Sequence, residues 1–328
     1  MRLTLAVPGL LALDPAALAA TPSLARLVRY AGTPVIRRGT LDGLVVAGAA
    51  DGAGTAALAA LGAGLDPGSS YVMRADPVSL VAGRNDVALG ARIDDLEAGE
   101  AGAMIAALGA HFAGDGLKFH APRPDAWFIL QDVSPDLTTT PLASVRGAIY
   151  PWLPAGGDAP HWRRWLSEMQ MLLHAHPVNA AREARGRVPV TGVWISDGGR
   201  IADTARSGAT AIFAPAGSDG DVARGLARLR DSDAAPPPGR FAAMSLQDQA
   251  IVVVDRADAA NAPRLLSEWV DPVVAALERG ALVSLSLLAD GDGAAAAWHA
   301  TRPSWRVRTL ARMAAPLFAL PARDEDDT

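Results

Sequence analysis

The densest run of chemically capable side chains lies between residues 163 and 185. Arg163, Ser167, Gln170 and His174 recur at i, i+4, i+7 and i+11, which puts them on one face of a helix. Trp162, Trp165, Met169 and Leu172 form an apolar stripe opposite them, and His176, Asn179, Arg182 and Arg185 follow directly. Arginine forks flanked by imidazoles and amides suit recognition of phosphate or carboxylate. Together with Arg74, these residues predict an anion pocket opening where an inserted lobe meets the core, because clefts favour such junctions. A plainer reading leaves Arg163 and Ser167 in solvent and uses His176 and Asn179 to cap or brace the turn before Pro177 and the next helix. The i, i+2 spacing of His174 and His176 points their rings apart on a helix, which argues against a metal pair.

A second candidate is Trp194-Ile195-Ser196-Asp197-Gly198-Gly199, where a strand runs into a glycine turn, the usual ligand crevice of an open α/β sheet. Gly198 and Gly199 are therefore candidate ligand-binding positions. Asp76, before Pro77, reads as the end of a strand. Trp152, Trp194, Trp269 and Trp305 read as packing residues first and ligand platforms second.

Composition limits the rest. The 328 residues are 50% apolar and 20% charged, with net charge -5, a globular balance. With no basic stripe interleaved with aromatics, nucleic acid is not an expected ligand. The chain has no cysteine, which removes disulfides and thiolate chemistry and fits a cytoplasmic protein. Lys118 is the sole lysine, so a Walker-type phosphate loop is absent and any anion site must use arginine, backbone amides or helix N-termini. No G-x-S-x-G, H-E-x-x-H, S-x-x-K or dinucleotide fingerprint occurs. No apolar run is long enough for a transmembrane helix. The opening MRLTLAVPGLLAL has features of an export signal, but Pro8-Gly9 interrupts it, and a buried first strand turning there explains the same residues.

The elements that must position these groups follow from spacing and caps. Leu3–Val7 predicts a buried strand, and Pro22–Ala31 a helix with Thr21 as N-cap. Residues 51–64 read as a short helix in a loose connection. Strands are expected at 71–81 and 86–90, a helix at 93–112, a hairpin of 117–121 with 126–131, and a helix at 161–175. From residue 188 onward, strands at 190–195, 209–214, 250–255 and 282–288 alternate with helices near 219–230 and 263–279. That alternation predicts a mostly parallel sheet with helices on both faces.

Three stretches, in order, carry a family resemblance. These are Pro8-Gly9 with Thr21-Pro22 and Leu24…Leu27; Tyr71-Val72-Met73-Arg74-Ala75-Asp76-Pro77-Val78 before an acidic helix; and His176-Pro177-Val178-Asn179…Arg182…Gly186 running into Val193-Trp194 and Gly198-Gly199. They resemble the archaeal-type cofactor-independent phosphoglycerate mutases of the alkaline phosphatase superfamily. With Glu168-Met169-Gln170-Met171-Leu172-Leu173-His174 added, they look closer still to RpfE-type regulatory proteins, relatives of the mutases. The resemblance covers roughly residues 1–200. It implies an alkaline-phosphatase-like α/β core at 1–70 and 186–321, an inserted smaller α+β lobe with its connecting helix at 71–185, and an acidic tail at 322–328.

The mutase resemblance also implies two divalent metals, an aspartate after the first strand, a serine nucleophile and a C-terminal Asp/His cluster. Two metals about 4 Å apart clamp a phosphoryl group and activate the attacking hydroxyl. Here position 8 is proline, Asp14 lies too far along, Gly54-Thr55-Ala56 stands for the nucleophile region, and His299 is the only histidine after His176. The ligand set is too short for two dications, so neither metal nor other cofactor is expected. The leading expectation is a catalytically degenerate, regulatory member of this group that binds a small anionic metabolite, with no nucleic-acid or membrane partner and with its protein partner unknown. The rivals are an active mutase or phosphatase using a rearranged site of Asp14, Thr55, Asp197 and Asp255, and a protein-interaction module.

Overall fold

A computed structural model describes residues 1–84, 86–245, 249–291, 293–304 and 307. Trp305 and the acidic tail at 322–328 lie outside the described residues.

Along the chain run β1 (Arg2–Val7), α1 (Pro15–Ala19), α2 (Pro22–Ala31), β2 (Val35–Arg38), α3 (Leu41–Ala49), β3 (Ala50–Ala53) and α4 (Thr55–Ala63). Next come β4 (Tyr71–Ala82), β5 (Val87–Arg92), α5 (Ala98–His111), β6 (Lys118–Arg123), β7 (Ala126–Gln131), α6 (Ala159–His174) and α7 (Pro177–Ala184). The remainder holds β8 (Gly192–Gly199), β9 (Ile201–Ser207), β10 (Ala211–Phe213), α8 (Asp221–Arg228), β11 (Gln249–Val253), α9 (Ala262–Leu265), α10 (Asp271–Arg279), β12 (Ser284–Gly291) and β13 (Ala294–Thr301).

The chain divides into two compact units. The first holds residues 1–49, 208–219 and those from 233 onward; the second holds 50–207 and 220–232. The second unit therefore takes in residues 50–70, 186–207 and 220–232, which the sequence assigns to the core.

In the first unit six strands run in the order β10-β11-β1-β12-β13-β2. The four from β10 to β12 are parallel, and β13 is antiparallel to both of its neighbours, β12 and β2, so this is the mostly parallel sheet that the alternation predicts. Leu3, Leu5, Val7, Val252, Leu285 and Leu287 form one of its faces and pack with Leu24 and Leu27 of α2 and Val273 and Leu277 of α10. Each such side chain contributes about 1.5–3 kcal/mol on burial. Strands β2 and β13 escape the sequence reading because they are short or alanine-rich, and neighbouring strands rather than propensity make them.

The second unit is built on an antiparallel sheet. One edge of β4 pairs with β8; the other pairs with β7 near its start and with β5 near its end. Asp76 and Pro77 thus lie inside a 12-residue strand rather than at its end. Met73, Ala75, Trp127, Ile129, Val193 and Ile195 pack with Met104, Leu108 and Phe112 of α5 and with Trp162, Trp165 and Met169 of α6. Helix α5 starts at Ala98 instead of residue 93, because Glu97 and Glu100 form a reciprocal capping box. Ile93 and Leu96 are still buried, but from an extended lead-in. Helix α4 is no loose connection: Ala56 to Ala60 are fully buried, and it packs on α8, β4 and β8.

Candidate functional site

The 163–185 run folds largely as its plainer reading predicts. His176 is the N-cap of α7, its Nδ1 accepting from the Val178 N–H at 3.3 Å. The Asn179 amide donates to Leu173 O and Val190 O, each at 2.8 Å, and its oxygen accepts from Val190 N–H at 2.9 Å. Arg182 is 0% exposed. It donates to Val188 O at 2.9 Å, Glu100 at 2.7 Å and Asp95 at 2.5 Å. Arg185 pairs with Glu100 and Glu97. Burial alone would raise the Glu100 carboxyl, but the Glu97 N–H, Arg182 and Arg185 outweigh it and leave its pKa lowered. On α6, Arg163 donates to Pro154 O at 3.1 Å and Ser167 to Arg163 O at 3.0 Å. Gln170 is half-buried and His174 exposed in the last turn. The most motif-like arginine is thus a brace between α7 and the start of α5, and its donors are spent inside the fold.

Arg74 has a different setting. It lies opposite Ser196, and Asp76 opposite Trp194, in the β4–β8 ladder. The register jumps from Val72↔Gly199 to Arg74↔Ser196, so three residues of β8 oppose two of β4. This is a β-bulge, and at it Asp197 takes φ 55, a left-handed conformation uncommon outside glycine. The bulge aims Asp197 at Arg74, whose Nε lies 3.9 Å from Oδ2. Ser196, 1% exposed, donates to the same carboxylate at 3.3 Å. Asp76 is buried and has Arg92 at 3.7 Å. Burial pushes the Asp197 pKa up, with Asp76 adding and Arg74 opposing. Perturbed acidity, an unusual backbone and a bulge converge here, as they do at functional sites.

Glycines shape the same corner. A Cβ on Gly198 would lie 2.1 Å from the Tyr71 hydroxyl, and one on Gly199 2.6 Å from the Gly54 Cα. Gly54 N–H donates to Arg200 O at 2.7 Å, so this crossing sets the start of α4, with Thr55 as its first residue, against the end of β8. Gly199 is therefore explained by close backbone approach, and Gly198 by the Tyr71 side chain lying against it. Sequence reading placed Ser196 and Asp197 in a candidate turn but missed Arg92 and Tyr71 as their neighbours; only strand register could have assembled them.

The strand ends of the first unit test the fit of two metals. Where the resemblance implies an aspartate, the chain has Pro8, and Gly9 N–H donates to Asp290 Oδ1 at 2.8 Å. Leu41 N–H takes Oδ2 at 3.1 Å. Arg256 binds Asp219 through two nitrogens, at 3.1 and 2.5 Å. Burial opposes the Arg256 charge, but Asp219, Asp290 and Asp42 outweigh it and raise its pKa. Asp14 caps α1 by accepting from Ala16 N–H. Among the described residues no group of three or more His, Asp or Glu is arranged to hold a metal ion. These residues do not fit a pair of dications. Of the rearranged set, Asp14 and Asp255 belong to the first unit and Thr55 and Asp197 to the second. Among the described residues no helix is long and apolar enough to cross a membrane.

No family model matches the chain, and no curated protein matches it. Among solved structures it is similar to the cofactor-independent phosphoglycerate mutase from Thermoplasma acidophilum DSM 1728, at 17% identity over 92% of this chain and 90% of that one, with a TM-score of 0.38. It is also similar to the PH0037 protein from Pyrococcus horikoshii, at 15% identity over 92% and 87% of the two chains, with a TM-score of 0.40. Likenesses this faint say nothing of activity.

Proposed function

We propose that the chain is a catalytically degenerate, phosphoglycerate-mutase-like protein of the RpfE regulatory type. In this reading it works in the cytoplasm and binds a small phosphorylated or carboxylated metabolite through Arg74. The landmarks quoted from the sequence support the family. The observation that carries the degenerate reading is the state of Asp290: both carboxylate oxygens accept backbone N–H groups from Gly9 and Leu41. Its remaining lone pairs could still reach a cation, so the reading rests equally on its surroundings: among the described residues no group of three or more His, Asp or Glu is arranged to hold a metal ion. For the ligand, Arg74 supplies the donor, while the Asp197 carboxyl, whose pKa burial raises, is an acceptor beside it.

Metal analysis of the purified chain, with an assay of 2-/3-phosphoglycerate interconversion in added Mn²⁺, tests the reading. The expected result is no stoichiometric metal and no turnover. Turnover at about 1 s⁻¹ or faster, a typical enzymatic rate, restores the rival of an active mutase. For the ligand, thermal shifts with 3-phosphoglycerate should rise for wild type and vanish for Arg74→Ala.

A further inference from the structure

The face of the six-stranded sheet opposite its main core carries a feature that the first site does not use. Strands buried on both faces read as continuous apolar runs, yet β1, β12 and β13 each place one polar side chain at the same level of this face. Thr4 is in register with Ser286, and Ser286 with His299. Ser286 Oγ and His299 Nδ1 share a hydrogen bond of 2.9 Å. The next level up is apolar, with Leu288 in register with Ala297 and Ala297 with Val35. Leu44 and Val45 of α3 close over these rows, and the space between is a cavity of about 230 Å³.

We propose that this cavity is a binding site for a small carboxylate with an apolar body. The lining has two ends, as a ligand pocket of mixed character requires. Leu44, Val45 and Leu288 give the apolar wall; Thr4, Ser286 and His299 line one end of it, and Arg37, in register with Ala295 two rows away, lines the other. One end offers two hydroxyls and an imidazole and the other a guanidinium, and no Asp or Glu lines the cavity, although the chain as a whole is net -5. An anionic head is thus favoured over a cationic one. The volume is below the usual range for drug-sized ligands, so the occupant is a compact acid. The site is independent of the Arg74 corner and of the degenerate reading.

Benzoate is the probe, with benzyl alcohol as its neutral counterpart, followed by titration calorimetry and ligand-observed NMR on the full chain. The proposal expects saturable benzoate binding in the millimolar range and benzyl alcohol weaker by roughly tenfold, the worth of one charge-assisted contact. Ala47→Trp, at an exposed lining position and so harmless to the core, should abolish binding. Ser286→Ala should weaken it severalfold, and Arg74→Ala should leave it unchanged. No saturation, equal binding of the alcohol, or full binding by a folded Ala47→Trp variant each overturns the proposal. In that case the polar row is only the wet end of a partly covered sheet.

Discussion

Arg182 and Arg74 make opposite use of the same side chain. Arg182 belongs to the most distinctive motif in the sequence, and the fold uses it up: it is fully buried, with a carbonyl and two carboxylates on its fork. Arg74 stands by itself in a strand, and a bulge turns a buried carboxyl toward it. Motif density and chemical availability are thus separate properties. The dense motif marks a joint between helices, and the sparse one marks the corner where a bulge and a buried acid meet an arginine.

The comparison is sharpest where the expected effects are largest. Arg182→Ala leaves Glu100 and Asp95 without their shared cation and should cost about 3–5 kcal/mol in denaturant unfolding. A cost below about 1 kcal/mol would show that the network is not a brace. Gly54→Ala drives a Cβ to 2.5 Å from the Gly199 Cα. It should cost about 1–3 kcal/mol as overpacking and also weaken any ligand response at the corner. Asp197→Gly relieves a left-handed residue and a buried acid, so it should stabilise by about 1 kcal/mol while lowering ligand-induced shifts. A folded variant that loses stability but keeps the ligand response would reverse the roles assigned to the two regions.

Acidity separates them as well. The pKa values of Asp95 and Glu100 are lowered in the fold, so their contribution is present at neutral pH and is lost as pH falls below the ordinary value of 4.5 for Glu100. The pKa of Asp197 is raised above its ordinary 3.8, so its share of stability is lost as pH rises through that value toward the raised one. Asp197→Asn should remove the second slope and leave the first, as read from denaturant midpoints between pH 3 and 7. At the small end, His174→Ala on the exposed turn of α6 should change stability by no more than about 0.5 kcal/mol.

Much of the fold was legible because its signals are local. Pro22 opens α2, Gly32 closes it at φ 75, and the apolar runs of β1, β11 and β12 announce buried strands. The parallel sheet followed from alternation. What stayed hidden depends on partners far along the chain. Asp76 meets Trp194 only through the β4–β8 register. Asp290 matters because two distant amides reach it. Strand β13, in an alanine-rich stretch, is held between β12 and β2 rather than by its own propensity. For the candidate site, residue types drew attention to Asn179 and Arg182, whose roles are decided by burial that no spacing rule reports.

Asp290 has one last consequence. In a two-metal catalyst the loop after the first strand is drawn in by dissolved ions, so its order follows their supply. Here a single carboxylate staples that loop to the start of α3 using peptide amides alone. This corner of the molecule should keep its shape through dialysis against a chelator, assembled for as long as the chain is folded.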